Sequence, residues 1–177
     1  DETRGWGPPF DDRGESAYFL SVNRNKLSHV ADLRDAGDVA LLRELARAAD
    51  VVVENFRPGT LERHGLDSTA LRNANRSLIW CTISGFGPLS TRPGYDFVVQ
   101  AESGWMSITG EPEGEPMKHG VALVDILAGK DAAISILGAL AARGATGEGR
   151  QVHVSLDASA RAALVNVAQN ALVSGAP

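Results

Sequence analysis

Asp125 is the charge whose surroundings most need explaining. It interrupts an apolar run, with Val121-Ala122-Leu123-Val124 before it and Ile126-Leu127-Ala128 after it. A carboxylate there is unfavourable unless it is paired or hydrogen-bonded. It can act as the N-cap of the helix that follows, or as a carboxylate nucleophile in a pocket. The two roles are compatible. A helix N-terminus favours the ionised carboxylate, and the ionised form is the nucleophilic one. Asp157 has a similar setting, since it follows the strand-like stretch 152–155 and opens a helix; there N-capping is the simpler reading.

A second group of residues suits an anion. Asn55-Phe56-Arg57-Pro58-Gly59 closes a β-branched run, and Arg63 lies about two helical turns beyond Arg57. Two guanidinium groups beside a helix start can hold phosphate, and Phe56 can cover a flat ring. The alternative is a solvated arginine pair with Phe56 in the core. Arg34 and Lys26 are further cations near strand ends, each readable as a solvated surface charge. Tyr95-Asp96 opens a helix, so Asp96 is either a first-turn acid or a second carboxylate that tunes Asp125 or handles a proton. The four histidines (His29, His64, His119, His153) have no spacing that puts two on one face, and no zinc site or Ser-His-Asp order is visible. Trp6, Trp80 and Trp105 read as packing residues.

The elements that must position these groups follow from periodicity. Strands are expected at 17–22, 28–33, 51–53, 77–84 and 151–155, the last alternating Val152 and Val154. Residues 38–49 form an amphipathic helix, with Val39, Leu42, Leu45, Ala46 and Ala49 on one side. A short helix begins near Pro58. Further helices are expected at 68–74, 95–106, 126–143 and 156–173, and residues 110–116 form a hairpin or surface loop. Strands alternating with helices imply an α/β fold, a Rossmann-like layered domain with a mainly parallel sheet. Ligands then sit outside the carboxyl ends of strands, which points to residues 54–57 and 85–87. The Gly-rich dinucleotide fingerprint and the Walker pattern are both absent.

Composition narrows the class. The chain has 177 residues, enough for one domain with a core. Its net charge of −5 and lack of a Lys/Arg cluster argue against a nucleic-acid partner. No apolar run approaches a membrane span, so no membrane partner is expected. The single cysteine, Cys81, lies in an apolar run and reads as core. One cysteine and no visible signal fit a cytoplasmic location. The first residue is not Met and the chain opens inside a loop-like stretch, so an N-terminal segment is expected to be missing.

Six stretches together carry a resemblance: Arg4-Gly5-Trp6-Gly7-Pro8-Pro9-Phe10, Asn23-Arg24-Asn25-Lys26, Asp50 through Gly59, Ile83-Ser84-Gly85-Phe86-Gly87, Pro93-Gly94-Tyr95-Asp96, and Gly147 through Ser155. In this order and over nearly the whole chain, they resemble the class III CoA-transferases, the CaiB/BaiF family that includes formyl-CoA transferase. The resemblance implies that residues 1–177 are the partial CoA-binding and catalytic large domain, with the first strand-helix unit and a downstream small domain outside it. The family's catalytic aspartate maps onto Asp125 within Gly120-Val121-Ala122-Leu123-Val124-Asp125-Ile126-Leu127-Ala128-Gly129, where Ala128 stands in place of a frequent Thr. Leu27 likewise replaces an Arg that usually follows the Asn-Arg-Asn-Lys turn. Coenzyme A contacts map onto residues 31–34, with Ala31 and Arg34 at the ends, onto Asn55, Phe56, Arg57 and Arg63, and onto Tyr95 and Asp96.

The implied partners are an acyl-CoA and a small carboxylic acid, within an interlocked homodimer. The implied chemistry is covalent, through an aspartyl anhydride and an aspartyl-CoA thioester, and needs no metal. Two rivals stand beside it. An α-methylacyl-CoA racemase shares the fold but is expected to carry His-Asp where this chain has Tyr95-Asp96, and a tyrosine, with an unperturbed pKa of about 10, is a poor base near neutrality. A non-catalytic CoA-binding fragment is the other.

Overall fold

The computed structural model describes residues 1–175. The chain folds as two compact units, Asp1–Ala31 and a second that begins at Asp32.

The first unit holds a 3-10 turn, Glu2–Gly5, and helix α1, Ala17–Val22. The strand expected at 17–22 is therefore a helix, and the reason is local. Ser16 is fully buried; its Oγ donates to the Thr3 carbonyl and accepts from the Phe19 N–H at 2.9 Å. A satisfied N-cap of this kind is worth about 1 kcal/mol and outweighs the weak β preference of Tyr18 and Phe19. Residues 28–33, also expected as a strand, are irregular. Trp6 packs edge to face on Tyr18, with centroids 5.1 Å apart, yet stays half exposed.

The second unit runs α2 (Ala36–Ala48), β1 (Val51–Glu54), α3 (Thr60–Arg63), α4 (Ser68–Ala74), β2 (Ile79–Ser84), α5 (Asp96–Glu102), a 3-10 turn (Trp105–Ile108), α6 (Leu123–Thr146), β3 (Gln151–Ser155), α7 (Leu156–Ala162) and α8 (Val165–Ser174). Asp35 and Asp67 cap α2 and α4 by accepting from Asp38 and Ala70 at 2.9 and 2.7 Å. Two expected helices each divide. The one at 95–106 breaks at Gly104, whose φ of 94° is left-handed. The one at 156–173 stops at Ala162 and restarts at Val165.

The three strands form a parallel sheet in the order β1-β2-β3, with Val53 opposite Cys81 and Cys81 opposite Val152. Period-two alternation sends Ile79, Cys81 and Ile83 to one face and Trp80 to the other. On the first face, Ile79, Cys81, Val152 and Val154 pack against Val124, Ala128, Ala132 and Ala139 of α6. These α6 positions lie on one helical face, and three are alanines, so the helix can lie close to the sheet. On the second face, Leu78 and Trp80 pack with Val39, Ala46, Leu61, Leu66 and Leu71. Burying each large aliphatic side chain contributes about 1.5–3 kcal/mol, and cover on both faces is what an all-parallel sheet requires. Trp80 and Cys81 are thus core residues, as expected.

Helix α6 is fixed at its far end by Gly147, left-handed at φ 73°, and by Arg143, which bonds Asp50 at 2.9 Å and the Ser77 carbonyl at 3.1 Å. Among the described residues no helix is long and apolar enough to cross a membrane.

Candidate active site

At the carboxyl ends of β1 and β2 the chain frames a cleft that is open to solvent on one side. Its walls are Val53 to Pro58 from the end of β1, Ile83 to Gly85 from β2, the loop 90–94, Leu156 at the start of α7, and the first turns of α6. This is where an open α/β sheet binds ligands. From α6 come Asp125, Ala128 and Gly129, spaced i, i+3 and i+4 on one face. The two small residues leave room in front of the carboxylate.

Two glycines set the shape of the entrance. Gly85 ends β2 and Gly94 precedes α5; a methyl on either would overlap the backbone of the other. That close approach brings the Tyr95-Asp96 helix start against the sheet edge, beside α6. It gives a physical reason for glycine in both the Gly85-Phe86-Gly87 and Pro93-Gly94-Tyr95-Asp96 stretches.

Asp125 is not the N-cap of its helix. The cap position belongs to Ala122, whose side chain caps nothing, and Asp125 lies in the first turn. The free N–H groups are satisfied across space. Asp96 Oδ2 accepts from Val124 at 2.7 Å and from Asp125 at 3.1 Å. Its other oxygen accepts from the Gln100 amide. A carboxylate on α5 therefore does for α6 what a capping Asp normally does from within its own chain segment. Asp125 consequently keeps its own carboxylate uncommitted at the cleft.

The charge state also departs from expectation. The helix start alone would hold Asp125 ionised, yet its pKa is pushed up to about 6, first by lost hydration and then by repulsion from Asp96. The residue is still open to solvent across the cleft. Partial desolvation of one side, with a second carboxylate behind, outweighs the helix dipole. At neutral pH about nine-tenths of it remains ionised.

The other expected site residues divide. Asn55, Phe56 and Arg57 line the cleft with Asp125. The Phe56 N–H donates to Glu54 at 2.9 Å, which shapes that loop. Arg63 turns to Thr60, donating at 3.2 Å, and does not line this cleft; nor does Arg34, which is exposed and paired with Asp32 at 2.8 Å. That guanidinium holds the Asp32 carboxyl down at about 2. Tyr95 is exposed and stacks on Phe97 with centroids 6.1 Å apart. Ala31 closes the first unit. Asp157 is not a cap either: Ser155 caps α7 by accepting from Ala158, while Asp157 pairs with Arg161 at 2.9 Å.

Arg92 and Gln100 also belong to the site, though local sequence does not single them out. Arg92 lines the cleft, lies 4.0 Å over the Phe86 ring and pairs with Glu102. Its signal was a lone cation in a turn. Gln100 stands four residues after Asp96 on one helix face, a spacing that favours an Asn/Gln–Asp bond. Among the described residues no group of three or more His, Cys, Asp or Glu is arranged to hold a metal.

Comparison with known proteins gives the site a context. The sequence profile of CoA-transferase family III matches residues 1–177. A succinate–glutarate CoA-transferase of Agrobacterium fabrum is 45% identical, over 100% of this chain and 46% of its own length. An acetyl-CoA:oxalate CoA-transferase of Acetobacter aceti is 44% identical, over 88% of this chain and 41% of its own. The crystal structure of a CAIB/BAIF family protein from Brucella suis superposes with a TM-score of 0.95 at 44% identity, covering 100% of this chain and 49% of that one. The chain thus spans less than half the length of these relatives. A profile matched from end to end, together with a solved structure that follows the whole trace, establishes that this chain belongs to CoA-transferase family III.

Proposed function

We propose that the protein carrying this chain moves CoA from an acyl-CoA donor to a carboxylic acid, with Asp125 as the nucleophile. In this reading residues 1–177 are part of the large CoA-binding and catalytic domain, and the full-length protein works as an interlocked homodimer. The observation that carries the reading is the placement of Asp125. Its carboxylate is free of the capping role, faces a cleft at the strand ends, and shares that cleft with Arg57.

An Asp125 oxygen attacks the donor thioester carbon; the C–S bond breaks, CoA leaves as thiolate, and a mixed anhydride remains. The thiolate attacks the Asp125 acyl carbon, releasing the donor acid and leaving an aspartyl-CoA thioester. The acceptor carboxylate attacks that thioester, expelling the thiolate and forming a second anhydride. The thiolate then attacks the acceptor's acyl carbon, and the Asp125 carboxylate is restored. Protons and electrons balance without another reactant. Splitting one hard exchange into four acyl transfers is the gain of covalent catalysis. A carboxylate with a raised pKa is the more basic nucleophile, yet it stays mostly ionised at neutrality. Arg57 supplies charge for an anionic part of the substrates. Named activities of the relatives on succinate, glutarate and oxalate support a dicarboxylic acid as acceptor or donor acid.

The test uses the full-length protein with succinyl-CoA and free glutarate, followed by mass spectrometry. Glutaryl-CoA should form, and an acyl-enzyme cleavable by hydroxylamine should map to the peptide bearing Asp125. Exchange of the substrate α-proton into deuterated water without transfer would identify a racemase instead. CoA binding with neither adduct nor exchange would leave only a binding fragment.

A further inference from the structure

Gln100 is 1% exposed and ranks among the largest fully buried side chains. A buried primary amide is unfavourable unless both of its ends are bonded, and both are. Its nitrogen donates to Asp96 Oδ1, and its oxygen accepts the His119 N–H at 2.9 Å. Only one orientation of the amide serves both partners, because the carboxylate accepts and the backbone N–H donates.

The consequence is a three-point tie. Gln100 and Asp96 both lie on α5. Asp96 holds the N–H groups of Val124 and Asp125, and Gln100 holds residue 119, which opens the short link into α6. His119 is also fixed from its other side, with its ring edge to face on Trp105 at 5.3 Å and its Nε2 3.3 Å from Thr109 Oγ1. The segment 119–125 is thus pinned at both ends by one turn of α5. With Gln100 removed, the Asp96 carboxylate keeps its bonds to the α6 N–H groups but loses the donor on its other oxygen, and the backbone of residue 119 loses its acceptor.

We propose that Gln100 is a positioning residue for the transfer reaction, holding the Asp96 carboxylate against the start of α6 and so setting the place of the Asp125 side chain. This rests on the reading of Asp125 as nucleophile. The other charged groups that share the cleft with Asp125 are Glu54 and Arg57 at the end of β1 and Arg92 from the loop after β2, and none of them touches Gln100. Lost hydration raises the Asp125 pKa first and repulsion from Asp96 second, so loosening Asp96 removes part of that rise.

The test compares Gln100→Met with the parent in the full-length protein. Methionine keeps the length and volume of the side chain and removes both hydrogen bonds. The probe is carbodiimide coupling of glycinamide to carboxyl groups across pH, read at the Asp125 peptide by mass spectrometry; it needs no substrate. The Asp125 midpoint should move down by about half a unit, because lost hydration is the larger cause of its rise and stays in place, and kcat for CoA transfer should fall about tenfold with KM little changed. A lower melting temperature with an unmoved midpoint would mean Gln100 is only a packing residue, and would overturn the proposal. Should Gln100→Met fail to fold, Gln100→Asn keeps the amide but is one methylene too short for both partners, and the same downward shift is expected. If the parent transfers no CoA while the midpoint still shifts, the reading of Asp125 as nucleophile fails, and what stands is the hold of Gln100 on Asp96 and the start of α6, without a role in transfer.

Discussion

Helices α6 and α7 begin in similar ways and end up with opposite properties. Each has an aspartate in its first turn, and each starts beside the end of β2, where the Asp157 N–H donates to the Gly85 carbonyl at 3.0 Å. In α7 the cap is local. Ser155 accepts from Ala158, and Asp157 is neutralised by Arg161 one turn on. In α6 the cap position holds alanine, and the missing acceptor arrives from Asp96, twenty-eight residues before Val124. The imported acceptor is itself an anion. It satisfies the helix start and at the same time crowds a second negative charge beside Asp125. In α7 the aspartate is tied into an ion pair, whereas in α6 lost hydration first and the charged cap second leave a carboxylate that faces the cleft with its pKa raised.

The largest effect should separate the two aspartates by activity. In the full-length protein, Asp125→Asn should lower CoA transfer by about a thousandfold or more, because the amide cannot act as the nucleophile. Asp157→Asn should stay within a few-fold of the parent. Initial rates with succinyl-CoA and glutarate decide it. Equal losses in the two variants would dissolve the contrast.

A smaller effect lies in pH. In the proposed mechanism only ionised Asp125 attacks, so kcat/KM should rise with pH through a midpoint near 6 and flatten above it. Below that midpoint the rate should fall about tenfold per unit. Asp96→Asn removes the repelling charge and should move the midpoint lower. A limb that stays in place in this variant would mean desolvation alone raises the Asp125 pKa.

Much of this frame was legible in the residues. The strand expected at 51–53 from its apolar, β-branched run and the helix expected at 68–74 are both present, and Asp125 stands out because a carboxylate inside an apolar run needs a reason. Sequence alone was blind where partners are distant. Nothing near Asp125 says that Asp96 supplies its helix with acceptors, so local sequence leaves capping by Asp125 open where the fold excludes it. Asp157 was misread for the converse reason, as Ser155 two residues earlier is an equally good cap. Helix α1 was missed because a strong N-cap, buried Ser16, decided a segment whose composition leans towards strand. Arg63 pairs with Arg57 by spacing and Arg34 enters only through the family resemblance; in the fold Arg34 bonds Asp32 and Arg63 bonds Thr60.

The smallest effect is on stability, and here the two helices should respond in opposite directions. A carboxyl whose folded pKa lies near 6, against 3.8 in an unfolded chain, binds more protons folded than unfolded between those values. Folding stability from this group therefore falls as pH rises from about 4 to about 6, and the loss is then constant at higher pH. Asp125→Asn abolishes that penalty, so its melting temperature should exceed the parent's above pH 6 and converge with it near pH 4. Solvent at the open side of the cleft screens the effect and keeps it modest. Asp157→Asn instead removes an exposed i, i+4 ion pair and a first-turn acid. It should lower stability by about 0.5 kcal/mol at neutral pH. Thermal melts of both variants from pH 4 to 8 read the two signs directly. An Asp125→Asn protein less stable than the parent at pH 7 would mean that the α6 start favours the charge after all, and would remove the distinction between the two aspartates.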